Sequence, residues 1–205
     1  FLYWIKNNKS KTLSEISASN YLDNLRSKNK NFFSLSFPTI AGSGPNGAIV
    51  HYRASKKTNR KLKKNDLFLV DSGAQYFDGT TDVTRTIAFS KVTSEQKKMY
   101  TLVLKGHIAV ALSTFNEKQN GKTLDKHARK FLKKEKLNFD HGTGHGVGCF
   151  LNVHESPPSI SPLSKHKFKK GMVVSNEPGF YKKNKYGIRI ENIVLTKKRK
   201  NKLYF

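Results

Sequence analysis

The hydrophobic positions of this chain change their period along its length, from helical to strand-like and back. Residues 1–30 carry apolar side chains at helical spacing, with a capping-box pattern at Thr12-Leu13-Ser14-Glu15, and predict helix. Residues 32–52 are strand-like and are interrupted by a glycine-rich stretch at 42–47. This stretch matches a dinucleotide-binding pattern only formally, because it contains Pro45 and does not open a helix, so we interpret it as a tight turn.

The middle of the chain combines a strand pair with a long helix. Residues 66–76 and 80–89 predict two strands joined by a turn at Asp78-Gly79. A capping pattern at Thr93-Ser94-Glu95-Gln96 predicts a helix that runs to about Thr114. The strand pair would bring residues from two parts of the chain to one place in a sheet.

The last part of the chain returns to strands. A second helix is predicted over roughly 123–135, and beyond residue 138 the pattern is strand, loop, strand, with turns near Asn184 and Gly187. Antiparallel strand pairs with intervening helices are typical of an α+β fold. No low-complexity linker interrupts residues 1–205, so we expect a single domain. The chain does not begin with methionine and ends in an interrupted strand, which favours a fragment of a longer protein.

The composition indicates a globular protein with a strongly basic surface. Lys and Arg number 39 against 14 Asp and Glu, a net charge of +25. Few aromatic residues alternate with the lysines, as base-stacking sites require, so we interpret the charge as a solvated surface rather than a specific nucleic-acid site. No apolar run is long enough to span a membrane. The single cysteine, Cys149, allows no intrachain disulfide and fits a reducing compartment.

Four carboxylates lie in apolar, β-prone segments, where a protein ordinarily avoids charge. They are Asp71, Asp82, Glu177 and Glu191. Burying an unpaired carboxylate is costly, and the nearby Arg85 and Arg189 could neutralise two of them at most. Two divalent cations would neutralise all four, and paired metal ions about 3.5–4 Å apart are a recurrent catalytic arrangement. The predicted strand pairs would direct the acids toward one such centre.

Histidines complete this candidate metal site. His141 and His145 lie among four glycines in the segment 141–148, where the backbone can approach a ligand closely. A neutral imidazole is a good ligand for a transition metal, and His51 and His154 are further candidates. The remaining histidines are interpreted as structural or solvated: His107, His127 and His166. The chain contains no H-E-x-x-H, C-x-x-C or G-x-S-x-G motif that would indicate another kind of site.

Six segments, in this order, resemble the Xaa-Pro aminopeptidase (aminopeptidase P) branch of the methionine-aminopeptidase/prolidase superfamily. They are VDSGAQY at 70–76, DGTTDVTRT at 78–86, HGTGHGVG at 141–148, LNVHE at 151–155, NEPG at 176–179 and GIRIEN at 187–192. The likeness runs from about residue 12 to the end of the chain. Six segments in the right order are far more specific than any one of them alone.

The resemblance implies a pita-bread fold, in which two pseudo-symmetric halves enclose a dinuclear metal site. The implied cofactors are two divalent metal ions, usually Mn²⁺ in this branch. The implied metal ligands are Asp71, Asp82, His145, Glu177 and Glu191, of which Asp82 and Glu191 would bridge both ions. The implied catalytic residues are Glu177, His141 and His154. The implied substrate-binding residues are His51, His141, His154 and Arg189.

The implied activity is hydrolysis of the N-terminal Xaa-Pro bond of peptides with proline at the second position, by a hydroxide held between the metals. The spacing between His145 and His154 matches the long, cytosolic type of aminopeptidase P, so we expect a cytoplasmic enzyme. The family's N-terminal creatinase-like domains and C-terminal segment lie outside this chain, and a homodimer is expected for the full-length protein. Two alternatives stay open: a prolidase-type Xaa-Pro dipeptidase, and a non-catalytic pita-bread module that binds proteins or nucleic acid.

Overall fold

The computed structural model of the protein describes residues 1–8 and 13–205, and its order of helices and strands confirms the α+β class. The helices are α1 (Leu2–Asn7), α2 (Glu15–Ser27), α3 (Ser94–Ala111) and α4 (Gly121–Lys134), with a 3-10 helix at Gly44–Ala48. The strands are β1 (Phe32–Ser43), β2 (Leu67–Tyr76), β3 (Gly79–Thr80), β4 (Val83–Ala88), β5 (Thr114–Phe115), β6 (Gly144–Gly146), β7 (Glu155–Ile160), β8 (Val173–Asn176), β9 (Gly179–Lys182), β10 (Tyr186–Arg189), β11 (Asn192–Leu195), β12 (Lys197–Arg199) and β13 (Lys202–Tyr204). Within these described residues, no helix is both long and apolar enough to cross a membrane.

The N-terminal half is built on an antiparallel sheet in which β2 pairs with β1, β3 and β4. The predicted strand over 80–89 is divided, because Thr81 forms two hydrogen bonds with the backbone of Ala74 and interrupts the regular pairing. The Thr81 N–H donates to the Ala74 carbonyl at 2.9 Å, and the Thr81 hydroxyl accepts the Ala74 N–H at 2.9 Å. This irregularity leaves Asp82 between β3 and β4, next to the β2 strand that carries Asp71. The predicted hairpin is therefore confirmed, but its second strand is interrupted at Thr81 and Asp82.

The C-terminal half contains a second antiparallel sheet, in the order β11-β8-β6-β7, with α3 and α4 packed together beside it. The β9–β10 hairpin is inserted between β8 and β11, and its turn contains Asn184 with a φ of 58°. The turn predicted near Asn184 is confirmed, whereas the one near Gly187 is wrong, because Gly187 lies inside β10. A Cβ at Gly187 would lie 1.7 Å from the carbonyl oxygen of Gly47, so the glycine allows two backbones to cross.

The helix predictions are confirmed with shifted ends. Thr93 caps α3 through a reciprocal capping box with Gln96, and the helix ends at Ala111, so that Thr114 lies in β5 instead. The segment predicted as helix over 1–30 forms α1 and α2, and α2 is capped by Ser14. Thr12, the first residue of the predicted capping pattern, lies outside the described residues.

Glu15, at the start of α2, is fully buried and has no basic side chain within ion-pair distance among the described residues. Its carboxylate instead accepts hydrogen bonds of 2.7–3.1 Å from the backbone N–H groups of Ser43 and Arg60 and from the side chains of Asn46 and Tyr52. These bonds satisfy a charge that would otherwise be costly to bury. They also hold the segment after β1, which includes one predicted substrate-binding histidine, against α2.

Candidate metal centre

All residues that the sequence assigns to the site line one cavity of about 320 Å³, to which both sheets contribute. They are His51, Asp71, Asp82, His141, His145, His154, Glu177, Arg189 and Glu191. Residues separated by as much as 140 positions in the chain thus converge on one space. The three histidines interpreted as structural or solvated do not line it.

The potential ligand atoms are concentrated around Asp82. Asp82, His145 and Glu191 each offer a ligand atom within 4.8 Å of the others. His145 Nε2 lies 3.3 Å from Asp82 Oδ2 and 3.3 Å from Glu177 Oε1. Asp71 lies in the same cavity, so four carboxylates and one imidazole surround the same volume.

Backbone and hydroxyl contacts place these carboxylates. The Glu177 N–H donates to the Thr143 carbonyl at 2.8 Å, and Ser175 Oγ donates to Glu177 Oε1 at 2.9 Å. The same Ser175 hydroxyl accepts the His145 N–H at 2.9 Å, which couples the glycine-rich segment to β8. Thr84 Oγ1 donates to Glu191 Oε2 at 2.6 Å and so connects the two halves across the site.

The orientation of His145 suits a metal ligand. Its Nδ1 lies 2.9 Å from the Gly146 carbonyl oxygen. A carbonyl oxygen only accepts, so Nδ1 carries a hydrogen, and Nε2 is the nitrogen that faces the carboxylates. Metal-binding histidines commonly donate their other ring N–H in this way, which fixes the tautomer.

Positive charge within the protein compensates the buried carboxylates only in part. Burial raises the pKa of Asp71, although Arg189 opposes the shift, and burial raises the pKa of Glu177 to about 7. Burial, together with the charges of Glu177, Asp71 and Asp82, raises the pKa of Glu191 well above its usual range. Asp71 Oδ1 is buried without a hydrogen-bond partner among the described residues. Oxygen-rich ligands with one imidazole suit divalent cations such as Mn²⁺, so the residues present fit such a site.

The two arginines near the acids play different parts. Arg189 Nη2 donates to Asp71 Oδ2 at 2.7 Å and forms a buried ion pair. Arg85 instead donates to the Glu191 carbonyl oxygen at 2.6 Å and to Asn192 Oδ1 at 2.8 Å. Only one of the four carboxylates is therefore paired with an arginine, fewer than the sequence alone allowed.

A tyrosine that sequence analysis missed connects two residues of the cavity, Arg189 and His141. Tyr181 Oη lies 2.8 Å from Arg189 Nη1 and 2.8 Å from His141 Nε2. The other His141 nitrogen lies 2.7 Å from the Gly142 carbonyl and must carry the hydrogen, so Nε2 accepts from the tyrosine. Burial lowers the pKa of His141 to about 4, which agrees with a neutral ring. Tyr181 follows Phe180 in an apolar strand, and its sequence context gives no sign of this role.

The histidines at the mouth of the cavity have free ring nitrogens. Neither His51 nor His154 makes a side-chain hydrogen bond to another part of the chain that the structure describes, and both are exposed. The His154 ring stands edge-on to His145, with 4.2 Å between centroids. Partial desolvation of its ring and the neighbouring His145 lower the pKa of His154.

Sequence analysis also missed a buried ion pair on α4 that supports the glycine-rich segment. Arg129 Nε lies 2.8 Å from Asp125 Oδ2, and both side chains are almost wholly buried. Arg129 Nη2 donates to the His141 carbonyl at 2.7 Å, and Thr143 Oγ1 donates to Asp125 at 2.7 Å. A pair four residues apart on a helix usually lies at the surface, so the sequence carries only a weak signal.

The chain is similar to known proteins of one family. The profile of metallopeptidase family M24 matches residues 1–198. The chain is 48% identical over 211 residues to a probable Xaa-Pro aminopeptidase P of Paracoccidioides brasiliensis (strain Pb03), covering 100% of this chain and 34% of that protein. It is 49% identical over 196 residues to a probable Xaa-Pro aminopeptidase P of Botryotinia fuckeliana (strain B05.10), covering 94% of this chain and 30% of that protein. The chain thus spans about a third of the length of the curated relatives it matches.

Solved structures show the same likeness. The X-prolyl aminopeptidase of Caenorhabditis elegans, described as a cytosolic enzyme with a di-nuclear active site, matches with a TM-score of 0.94 and 43% identity, over 100% of this chain and 35% of that one. The prolidase of Pyrococcus furiosus matches with a TM-score of 0.86 and 30% identity, over 98% of this chain and 57% of that one. The pita-bread fold implied by the sequence resemblance is confirmed. The chain belongs to metallopeptidase family M24.

Proposed function

We propose that this chain is the catalytic part of an Xaa-Pro aminopeptidase, which hydrolyses the N-terminal Xaa-Pro bond of peptides. The observation that carries the proposal is the convergence of four carboxylates and His145 on one cavity, with a buried Asp71 oxygen that has no partner there. The names of the M24 relatives, which are nearly half identical to this chain, support the same activity. Because the chain is about a third of those relatives, the proposal concerns the full-length protein that contains it.

Asp71, Asp82, His145, Glu177 and Glu191 would hold two divalent cations, and we propose Mn²⁺. Ions bound there would lower the pKa of a coordinated water from 15.7 to about 7 and polarise the substrate carbonyl. The carboxylates of the chain would neutralise the added charge, and the Asp71 oxygen would gain a partner. The free amino group of a substrate would lie beside Asp71 and the bound ions, which restricts cleavage to the first residue.

Glu177 is the proposed general base. Its carboxylate is oriented by the Ser175 hydroxyl at 2.9 Å, beside His145. It would accept a proton from the attacking water and deliver it to the proline nitrogen as the peptide bond breaks. General acid–base catalysis of this kind contributes roughly 10²–10⁴-fold to a rate.

His154 is the proposed donor to the developing oxyanion, because its ring nitrogens are free at the cavity mouth. His141 has both nitrogens occupied, by Gly142 and Tyr181, so it donates to substrate only after the Tyr181 bond opens. Donors aimed at a developing negative charge are worth more in a water-poor cavity than in solvent.

Selectivity for proline is proposed to depend on shape. A proline nitrogen in a peptide has no N–H to be recognised, and its ring fixes φ near −65°. Phe37, Ile40 and Val50 line the cavity beside His51 and offer an apolar wall to that ring. Arg189, which is held by Asp71, would orient the backbone of the bound peptide.

The proposal is tested by release of arginine from the tripeptide Arg-Pro-Pro by the Mn²⁺-loaded full-length protein. Release by the parent, and loss of at least about 10²-fold in kcat in Glu177→Gln, would support the peptidase and the role of Glu177. Cleavage of the dipeptide Arg-Pro alone would favour the prolidase alternative. Failure to bind Mn²⁺ or to cleave either peptide would leave the binding-module alternative.

We also propose a cellular location and an oligomeric state for the full-length protein. The Caenorhabditis elegans relative is described as cytosolic, and the free, exposed thiol of Cys149 suits a reducing compartment such as the cytosol. We propose a homodimer for the full-length protein, which light scattering after size-exclusion chromatography would test.

A further inference from the structure

A histidine outside the cavity lies between the two chain segments that carry Glu177 and Glu191. His107, on α3, is only 7% exposed and does not line the cavity. Its Nδ1 lies 3.0 Å from the Asn176 carbonyl oxygen, and Asn176 Nδ2 donates to the His107 carbonyl at 2.9 Å. The two residues therefore form a closed, reciprocal pair of buried hydrogen bonds.

The other ring nitrogen of His107 contacts the second segment. Asn192 Nδ2 lies 3.3 Å from His107 Nε2. Arg85 donates to Asn192 Oδ1 at 2.8 Å, which turns the Asn192 amide nitrogen toward the histidine. Because the Asn176 carbonyl only accepts, Nδ1 carries the ring hydrogen and Nε2 accepts. Burial lowers the pKa of His107, consistent with the neutral tautomer that this pattern requires.

The contacts of His107 lie next to two of the predicted metal ligands in the chain. Asn176 is the residue before Glu177, and Asn192 is the residue after Glu191. The two asparagines are partners in the β8–β11 ladder, which ends there. The carboxylates thus extend from the end of a strand pair, and the His107 ring ties both strands together at that end.

We propose that His107 is a positioning residue that fixes the separation of Glu177 and Glu191 and thereby sets the affinity of the centre for divalent cations. The proposal rests on the proposed metal-dependent function. Groups that orient metal ligands from outside typically change metal affinity by about 10- to 100-fold when they are replaced. The effect is expected on metal binding first and on activity only as a consequence.

The test compares Mn²⁺ binding by variants of the full-length protein, measured by electron paramagnetic resonance of free Mn²⁺. His107→Phe keeps most of the ring volume but removes both hydrogen bonds, and we expect about 10- to 100-fold weaker binding at one site or both. His107→Gln can still donate and accept, and we expect it to restore most of the affinity. His127→Gln is the matched control, since His127 lies on α4 and contacts Ser113 rather than the centre.

Each outcome decides between the alternatives. Parent-like Mn²⁺ binding by His107→Phe, or equal losses in His107→Phe and His107→Gln, would overturn the positioning role. If His107→Phe does not fold, Asn192→Ala replaces it, because this change removes the contact to His107 Nε2 together with the Arg85 bond to Asn192. Unchanged affinity would again overturn the proposal. A parent protein that binds two Mn²⁺ ions without cleaving peptides would refute the proposed function alone, while the affinity comparison would still decide the role of His107.

Discussion

At the scale of single residues, one hydroxyl group joins His141 and Arg189 in a hydrogen-bond network that extends to Asp71. Tyr181 Oη accepts from Arg189 and donates to His141, while Arg189 also holds Asp71. Burial raises the pKa of Tyr181 to about 12, so the hydroxyl stays protonated at any working pH. The proposed substrate ligands and a proposed metal ligand therefore share one hydrogen-bond network.

Tyr181→Phe is expected to lower kcat/KM for Arg-Pro-Pro by about 10- to 100-fold. The change removes a hydrogen bond to a charged group, worth about 1.5–3 kcal/mol, and each 1.4 kcal/mol corresponds to about a factor of ten. Steady-state kinetics with the Mn²⁺-loaded protein would measure the effect. Tyr186→Phe is the control, because the Tyr186 hydroxyl donates to Glu95 away from the cavity. Equal kcat/KM values for the Tyr181 variant and the parent would contradict this role.

The four buried carboxylates could be found from their charge, whereas two neutral residues, Tyr181 and His107, were missed. Asp71, Asp82, Glu177 and Glu191 were found because a carboxylate in an apolar strand needs compensation, and all four line the cavity. Tyr181 and His107 are neutral and can be buried without a partner ion, so their positions in an apolar strand and a helix gave no comparable signal. Their roles depend on tertiary contacts 40 and 69 residues away, with His141 and Asn176.

At the scale of secondary-structure elements, α4 supports the site without contributing a residue to it. Its buried Asp125–Arg129 pair donates to the His141 carbonyl and accepts from Thr143, on either side of a glycine. A segment rich in glycine has little conformational preference of its own. The hydrogen bonds from α4 therefore fix the backbone conformation of the glycine-rich segment that carries His145.

Arg129→Met is expected to destabilise the protein by about 3–5 kcal/mol, because it leaves the Asp125 carboxylate buried and unpaired. Chemical denaturation would measure the loss. In the double variant Asp125→Ala/Arg129→Met much of that stability should return, since no buried charge remains. Lys98→Ala is the surface control: the exposed Lys98–Glu135 pair should contribute less than about 1 kcal/mol. Equal losses in the single and double variants would argue against the ion-pair explanation.

Elements with strong local signals were predicted best. The capping box of Thr93 and Gln96 located the start of α3, and the turn at Asn184 was found from the sequence. Long-range contacts explain the errors. Thr81 divides a predicted strand through its bonds to Ala74, and Gly187 is a glycine because Gly47 crosses it, not because the chain turns there. The contacts with Ala74 and Gly47 cannot be predicted from the local pattern of hydrophobic residues.

At the scale of the whole molecule, the charge distribution is uneven. The chain carries a net charge of +25, yet its central cavity gathers four carboxylates. Repulsion among these carboxylates cannot be relieved by distant surface lysines, because solvent screens charges beyond about 8–10 Å. Cations bound within the cavity would relieve it directly, so metal binding should be coupled to global stability.

Mn²⁺ is accordingly expected to raise the melting temperature of the protein, and to raise it more at pH 8 than at pH 5. The pKa of Glu177 is raised to about 7, and those of Asp71 and Glu191 are raised as well. Between about pH 4.5 and 7 the metal-free native state therefore binds more protons than the unfolded state, and its stability falls as pH rises. At pH 5 protons compete with the metal for the Glu177 oxygens, whereas at pH 8 this carboxyl group is ionised.

Differential scanning calorimetry of the metal-free and Mn²⁺-loaded protein at the two pH values measures this effect. A free metal concentration 100 times the dissociation constant should stabilise the native state by about 2.7 kcal/mol for one site. The double variant Asp82→Asn/Glu191→Gln, which changes both proposed bridging ligands, should show no shift with Mn²⁺ at either pH. A shift of equal size at pH 5 and pH 8 would contradict binding at the buried carboxylates, since a metal ion bound there must displace protons at pH 5.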